Sequence, residues 1–338
     1  MSWVLGVCDG HDAGAALVDG DGVLRFAVSE ERLSRIKHQP GFPAAAIRAA
    51  LEHLRAAGAA LGSVAVAERV GRLPHRLLDR WYRRPGGARG PLSASARLSA
   101  AWSNRVAPRV PGIEVAVSRR LLTRRLRALG IEVPVRLLDH HLCHAWSAAA
   151  GGGDALVLTL DGFGDGLSGT LQRLEDGALR RLEAWPAPAG PALLFGALAQ
   201  SFGYDVGDEG KVVARAAAGD AGPLLPLLRE VLVRDDLRPA LTTSPAALLR
   251  RAGGARPADL AAALQRRSEE LLVEIAGAAL ARYGGRQLRL AGGLFANVAV
   301  NRELASLDVD GVSVFGAMGD SGLCAGAAWA AHAARGGA

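Results

Sequence analysis

Two stretches about 150 residues apart carry the same succession of signals, and a repeat of that length constrains the fold more than any single motif. The first runs from an apolar strand at Trp3–Cys8 through the turn Asp9-Gly10-His11-Asp12 into a small-residue strand, Ala13–Val18. The hairpin turn Asp19-Gly20-Asp21-Gly22 and a third strand over Val23–Val28 complete it. The second has a strand at Ala155–Leu160, the turn Asp161-Gly162-Phe163-Gly164-Asp165-Gly166, a strand at Ser168–Arg173 and the turn Glu175-Asp176-Gly177. Asp-Gly pairs between such runs signal hairpins because tight primed turns need residues that tolerate positive φ. Each turn alone is common in α/β proteins. In this order they predict an internal duplication: an α/β chain of two similar mixed-sheet halves, over residues 1–150 and 151–338, within one domain covering 1–338.

The remaining pattern fits between these repeats. Pro43 opens a helix with Ile47, Leu51 and Leu54 on one face, and Ser63–Ala67 reads as a strand. A basic insertion over 71–128 follows, and its tail, Val115–Leu129, reads as an amphipathic helix. Val135–Leu138 is a short buried strand. Helical patterns cover Leu193–Phe202, Gly210–Ala218 and several segments from Pro223 to Tyr283, the longest with Leu264, Leu271, Ile275 and Ala279 as its apolar stripe. Gln287–Ala291 is a strand running into Gly292-Gly293, and a helix then carries Asn297 and Asn301 at i, i+4. Val312–Phe315 is the last strand, and Gly319-Asp320-Ser321-Gly322 starts the final helix.

Half of the residues are apolar, and no run approaches the roughly 20 that a membrane span requires. The start lacks the basic segment of a signal peptide, and the three scattered cysteines suit reduced thiols, so a cytoplasmic protein is expected. The net charge of +7 invites a nucleic-acid partner, but the bias is local: residues 71–128 hold fourteen arginines against Asp79 and Glu114, so the rest is net negative. Nucleic acid is therefore not the expected partner, although a phosphate or protein surface within the insertion stays open. Only two lysines occur, Lys37 and Lys211, against 38 arginines. Where arginine replaces lysine so widely, these two point to positions needing a compact ammonium.

Three of the eight histidines fall within Asp139-His140-His141-Leu142-Cys143-His144. Asp139 can cap a helix starting here, which makes 140 and 144 neighbours on one face, as are 141 and 144. Paired imidazoles can grip one divalent cation. The competing reading is one buried, satisfied histidine beside a solvated one, and the density of histidines favours metal. Asp161 and Asp320 each end a strand, where open α/β sheets place ligands, and both can join the histidines around one ion. Glycine-rich turns at strand ends suit a nucleotide held between the halves, since backbone amides there favour phosphate oxygens.

At this point the chain resembles a family, the O-carbamoyltransferases of nodulation-factor and antibiotic biosynthesis, in their N-terminal domain. That domain is similar to the tRNA threonylcarbamoyladenosine synthase subunit and has the actin/Hsp70/sugar-kinase-like (ASKHA) fold. The resemblance rests on Gly10-His11-Asp12-Ala13-Gly14-Ala15-Ala16, on Glu30-Glu31-Arg32 through Lys37-His38 and Pro43, and on His140-His141 with His144-Ala145. It continues through Asp161-Gly162 with Gly164-Asp165, Glu209-Gly210-Lys211, Gly292-Gly293 with Asn297 and Asn301, and Gly319-Asp320-Ser321-Gly322 with Gly326-Ala327-Ala328.

The resemblance implies a metal, usually Fe(II) or another divalent transition metal, on His140, His144 and Asp320, with Asp161 as a further ligand. It places Asp9, Gly10, Gly162, Gly164, Glu209, Lys211, Gly292, Gly293, Asn297 and Asn301 around ATP or the AMP moiety of carbamoyl-adenylate. His11, Lys37 and His38 fall near the reacting group. The implied reaction moves a carbamoyl group from carbamoyl-adenylate to a hydroxyl or amine of a small-molecule, natural-product acceptor. Full-length relatives carry a further C-terminal YrdC-like domain that makes the adenylate, so a YrdC-like activating protein in trans is the expected partner. Arg215-Ala216-Ala217 departs from the family's usual Met-Gly-Leu-Ala-Ala. An ATPase or kinase of the same fold, or a tRNA-directed subunit, are the alternatives, and the sequence does not set the oligomeric state.

Overall fold

The computed structural model describes residues 2–78, 102, 110–205 and 207–336. Most of the basic insertion lies outside them; what is described of it is helical, at Leu73–Leu77 and Pro111–Arg127.

The first five strands are β1 (Trp3–Cys8), β2 (Gly14–Val18), β3 (Leu24–Ser29), β4 (Leu61–Ala67) and β5 (Val135–Leu138). They form one sheet in the order β3-β2-β1-β4-β5, antiparallel through β3-β2-β1 and parallel through β1-β4-β5. Hairpin turns can join antiparallel neighbours, whereas parallel ones need crossovers, and the helix Ala44–Ala56 supplies the crossover from β3 to β4. The strand β1 reads as continuous apolar sequence because both its faces are covered: Val4, Leu5 and Val7 are fully buried.

The next strands are β6 (Ala155–Gly164), β7 (Leu167–Glu175), β8 (Ala178–Pro186), a small hairpin of β9 (Leu232–Asp235) and β10 (Arg238–Leu241), then β11 (Gln287–Ala291) and β12 (Gly311–Val314). The second sheet reads β8-β7-β6-β11-β12, again antiparallel on one side of β6 and parallel on the other. The two sheets share one strand order and one pattern of directions, as the repeated signals predict. The helix Pro257–Tyr283 covers the second sheet, and Leu264, Leu271, Ile275 and Ala279 of the expected stripe are all buried.

Between Pro223 and Tyr283 the expected helical segments form at Leu225–Val231, Pro245–Arg251 and Pro257–Tyr283, and the β9–β10 hairpin lies between the first two, turning at Asp236, which takes left-handed φ (54°) without a glycine to announce it. Two local expectations are corrected. The turn placed at 161–166 is mostly strand, for β6 continues to Gly164 and only Asp165 (φ 52°) and Gly166 (φ 84°) reverse the chain. Asn297 does not lie within a helix but caps the one at Val298–Leu304, accepting from the Val300 amide.

Two helices set up the functional region. His140–Ala149 follows β5 directly, and Leu323–Ala333 packs against both it and the first sheet. Their approach depends on Gly326, where a Cβ would sit 1.8 Å from the Cys143 carbonyl oxygen. Cys143 is thus a contact point between helices. All three cysteines are buried free thiols, with Cys324 pushed up to about 12 by burial. No helix among the described residues is long and apolar enough to cross a membrane.

Candidate metal centre

The Asp139 carboxylate accepts the Leu142 amide at 2.8 Å, so the helix begins at His140 and its first two turns hold all three histidines. One turn apart, the His140 and His144 rings lie 4.7 Å between centroids. His140 Nε2 is 3.8 Å from Asp161 Oδ2 and 3.7 Å from Asp320 Oδ1; His144 Nε2 is 3.2 and 3.5 Å from the same two atoms. Bonds of about 2.1 Å to a tetrahedral ion put neighbouring ligand atoms about 3.4 Å apart. The four histidine–aspartate pairs, at 3.2–3.8 Å, have that spacing. The buried Nε2 of His140 has no hydrogen-bond partner, which an ion among these groups would supply. His140, His144, Asp161 and Asp320 therefore fit a metal ion.

His141 is the satisfied member of the trio. Its Nδ1 lies 3.0 Å from Thr159 Oγ1 and its Nε2 3.3 Å from the Leu167 carbonyl, which secures β6 and β7 to the helix. Electrostatics separate the neighbours in the same way. Burial, with the adjacent His140 and His144, drives His141 well below the usual histidine range. Burial would also lower His140, but Asp320, Asp161 and Glu68 outweigh it and raise the group well above that range. Burial would raise Asp161, and the facing His140 and His144 imidazoles hold it well below instead.

Two supporting carboxylates escaped the sequence reading. Glu68, just after β4, is buried with left-handed φ (65°); its Oε1 lies 3.5 Å from His140 Nδ1 and its Oε2 pairs with Arg72 Nε. At that distance Oε1 makes no hydrogen bond to Nδ1, but its charge favours a proton there, which leaves Nε2 to face Asp161 and Asp320. Nothing in the sequence singles Glu68 out, because its role depends on a backbone conformation unusual for glutamate. Asp165 accepts the Arg69, Val70 and His140 amides at 2.8–2.9 Å, joining the β6–β7 turn to the other half of the molecule. Burial and Glu68 push its carboxyl up to about 6. Its place in a Gly-Asp-Gly turn was the available signal.

Of the residues expected near the reacting group, His11 reaches the centre. Its Nδ1 is 3.3 Å from Asp320 Oδ2 and its Nε2 3.3 Å from Asp12 Oδ2, with the side chain 56% exposed. Burial lowers its pKa, but Asp320 and Asp12 raise it further, for a net upward shift. His38 sits beside it, Nδ1 2.7 Å from Asp12 Oδ1 and backbone amide on Glu31. Asp12, Glu31 and His38 line a cavity of about 210 Å³ that includes Ser321, next to Asp320. Lys37 and Lys211, the chain's two lysines, share Asp208: Lys211 Nζ is 2.7 Å from one oxygen and Lys37 Nζ 3.9 Å from the other. Glu209 beside them accepts the Gly207 amide.

The residues expected around the nucleotide separate into two groups. Asp9 is buried in an ion pair with Arg76 at 2.9 and 3.0 Å, and so holds the 73–77 helix in place. At Gly10 the missing side chain makes room for the Arg72 guanidinium, and at Gly164 for the His140 ring. Asn297 exchanges two hydrogen bonds with Gln265, and Asn301 donates to the Phe295 carbonyl. Gly292, at φ 104°, backs onto Leu160. Gly162 and Gly293 both donate to Asp161 through their amides, and Gly162 faces open space.

Known structures place this architecture. The fold is similar to component A of the Acidaminococcus fermentans (R)-2-hydroxyglutaryl-CoA dehydratase, with a TM-score of 0.53 and 13% identity over 99% of this chain and 100% of that one. Full-length HypF in its phosphate- and nucleotide-bound form gives a TM-score of 0.51 at 13% identity, over 98% of this chain and 46% of HypF. The class is the actin/Hsp70/sugar-kinase-like fold. Within it, the chain belongs to the family described as Carbamoyltransferase N-terminus, whose model matches residues 3–232 and 240–329. It is 30% identical over 337 residues to nodulation protein NolNO of Sinorhizobium fredii, covering 94% of this chain and 46% of that protein. The chain thus spans about half the length of this curated relative.

Proposed function

We propose that this chain carries the transfer site of a metal-assisted carbamoyltransferase, which moves a carbamoyl group from carbamoyl-adenylate to a hydroxyl or amine of a small-molecule acceptor. The observation behind this reading is the convergence of four ligand atoms with His11 at their edge, in a chain of the carbamoyltransferase family. A divalent transition metal such as Fe(II), held by His140, His144, Asp161 and Asp320, would supply Lewis acidity to an oxygen of the donor. His11 takes the proton of the attacking hydroxyl or amine, and Asp320 and Asp12 stabilise the resulting imidazolium. The new bond forms between the acceptor atom and the carbamoyl carbon. The carbon–oxygen bond to phosphate breaks, and its electron pair leaves with AMP. Lys37 and His38 flank the approach and orient the acceptor. A YrdC-like activating unit supplies the adenylate, and the buried free thiols accord with a reducing, cytoplasmic setting.

The test needs no knowledge of the acceptor, because water can serve as one. A YrdC-like protein with ATP and carbamoyl phosphate generates carbamoyl-adenylate, and AMP release is followed by chromatography. Adding the metal-loaded chain should accelerate release, and His11→Ala or His140→Ala should remove the acceleration. Release at the same rate with and without the chain refutes the reading. ATP consumption by the chain alone, without carbamoyl phosphate, would favour an ATPase of the same fold.

A further inference from the structure

Among the described residues, two arginines of one short segment behave differently. Arg76 serves the fold: its Nε and Nη2 donate to Asp9, Nη2 also donates to the Glu68 carbonyl, and its remaining Nη1 is sealed in a side chain only 1% exposed, where no ligand reaches it. Arg72, one turn earlier, commits only its Nε, to Glu68 Oε2. Its Nη1 and Nη2 have no hydrogen-bonding partner among the described residues, although the side chain is only 14% exposed. The guanidinium lies against Gly10, so close that a Cβ there would be 2.9 Å from Nη2, and it is therefore beside His11 and Asp320.

We propose that Arg72 is the anion-binding residue of the metal centre, and that its free Nη edge receives a phosphoryl oxygen of the donor. Glu68 makes the assignment specific. One of its oxygens faces the metal ligand His140 and the other fixes the Arg72 Nε, so a single buried carboxylate orients both the ligand and the guanidinium. A planar fork held along one side presents its remaining donors in a set direction, the geometry that suits phosphate. The requirement is electrostatic as well. A phosphate approaching this centre meets the carboxylates of Asp161 and Asp320, and a metal dication alone leaves that charge only balanced. Arg72 offsets the further carboxylate, Glu68, and turns its remaining N–H donors to an anion there. As the carbamoyl carbon–oxygen bond breaks, the electron pair stays on the phosphate oxygen, and the same guanidinium stabilises that added charge.

The inference rests on the donor proposed above, and the test separates the two. Calorimetry at constant ionic strength compares AMP, adenosine and inorganic phosphate as probes, on the metal-loaded protein and on Arg72→Gln. The wild type should bind AMP more tightly than adenosine. Losing charge-assisted hydrogen bonds should weaken AMP about tenfold or more, leave adenosine unchanged and abolish phosphate binding. Because Arg72→Gln leaves Glu68 buried without its cation, Arg72→Lys, which keeps a charge beside Glu68 but lacks the planar fork, provides the same reading with Glu68 intact. An unchanged ratio of AMP to adenosine affinity in a folded variant overturns the role of Arg72 and leaves the donor reading standing. Arg72-dependent phosphate binding without any nucleotide binding supports Arg72 and removes the adenylate. Binding of none of the three probes by the wild type overturns both.

Discussion

The substitution Gly164→Ala tests the metal centre more sharply than removal of a ligand does. A methyl group at this position would lie 2.2 Å from His140 Cδ2, 2.3 Å from Cγ and 2.7 Å from Nδ1. Ordinary carbon–carbon contact is about 3.5–4.0 Å, so the ring must retreat by roughly 1.3 Å or more. It has little room to do so, since it is fully buried with the His144 and His141 rings at 4.7 and 5.0 Å. Ligand distances tolerate only about 0.2 Å of error, so the displaced Nε2 no longer shares an ion with the other three atoms. Overpacking of this kind costs about 1–3 kcal/mol of stability. Metal affinity should fall by at least the roughly 10–100-fold seen when only a supporting partner of a ligand is removed. The control is Gly162→Ala in the same loop, where nothing lies within 4 Å of the added methyl. The assay is metal per chain by mass spectrometry during chelator competition, together with thermal melts. Wild-type occupancy and melting in Gly164→Ala would refute the reasoning, as would an equal loss of metal in Gly162→Ala.

Two further outcomes are expected. Asn297→Ala removes a helix cap and leaves the buried Gln265 Oε1 without its donor, while Gln265 Nε2 keeps Glu269, costing about 2–4 kcal/mol; the melting temperature should drop while adenosine affinity, measured by calorimetry, holds, and a selective loss of adenosine would instead make Asn297 a ligand contact. Burial and the nearby Arg72 push His75 down to about 3, with Arg76 adding to and Glu68 and Asp9 opposing the effect. The folded state therefore disfavours the charged form, so this group's contribution is intact above the unfolded pKa near 6.5 and is lost as pH falls from there towards 3. Melting temperatures between pH 7 and pH 4 should decline less steeply for His75→Gln than for wild type; parallel slopes would show that other groups govern the acid limb.

Much of this protein was legible in its sequence because local signals and the global fold agree. The repeated strand and Asp-Gly turn pattern specified two like sheets, since hairpins and buried strands are written in short-range periodicity. The histidine helix was legible for the same reason: a cap at Asp139 and i, i+4 spacing place 140 and 144 on one face wherever the helix goes. Only tertiary structure could decide between His141 and the other two, because the choice depends on which side β6 and β7 lie. It also decided the meaning of the glycines. Gly10, Gly162 and Gly164 each stand beside an aspartate, yet one accommodates Arg72, one faces open space and one accommodates His140. A missing side chain records only that something approaches closely, and its identity comes from distant parts of the chain. Glu68 was invisible for a related reason: a residue that faces His140 on one side and an arginine on the other has no sequence pattern of its own. Its chemistry exists only once the loop after β4 folds back, in a left-handed conformation, against the helix that begins at His140.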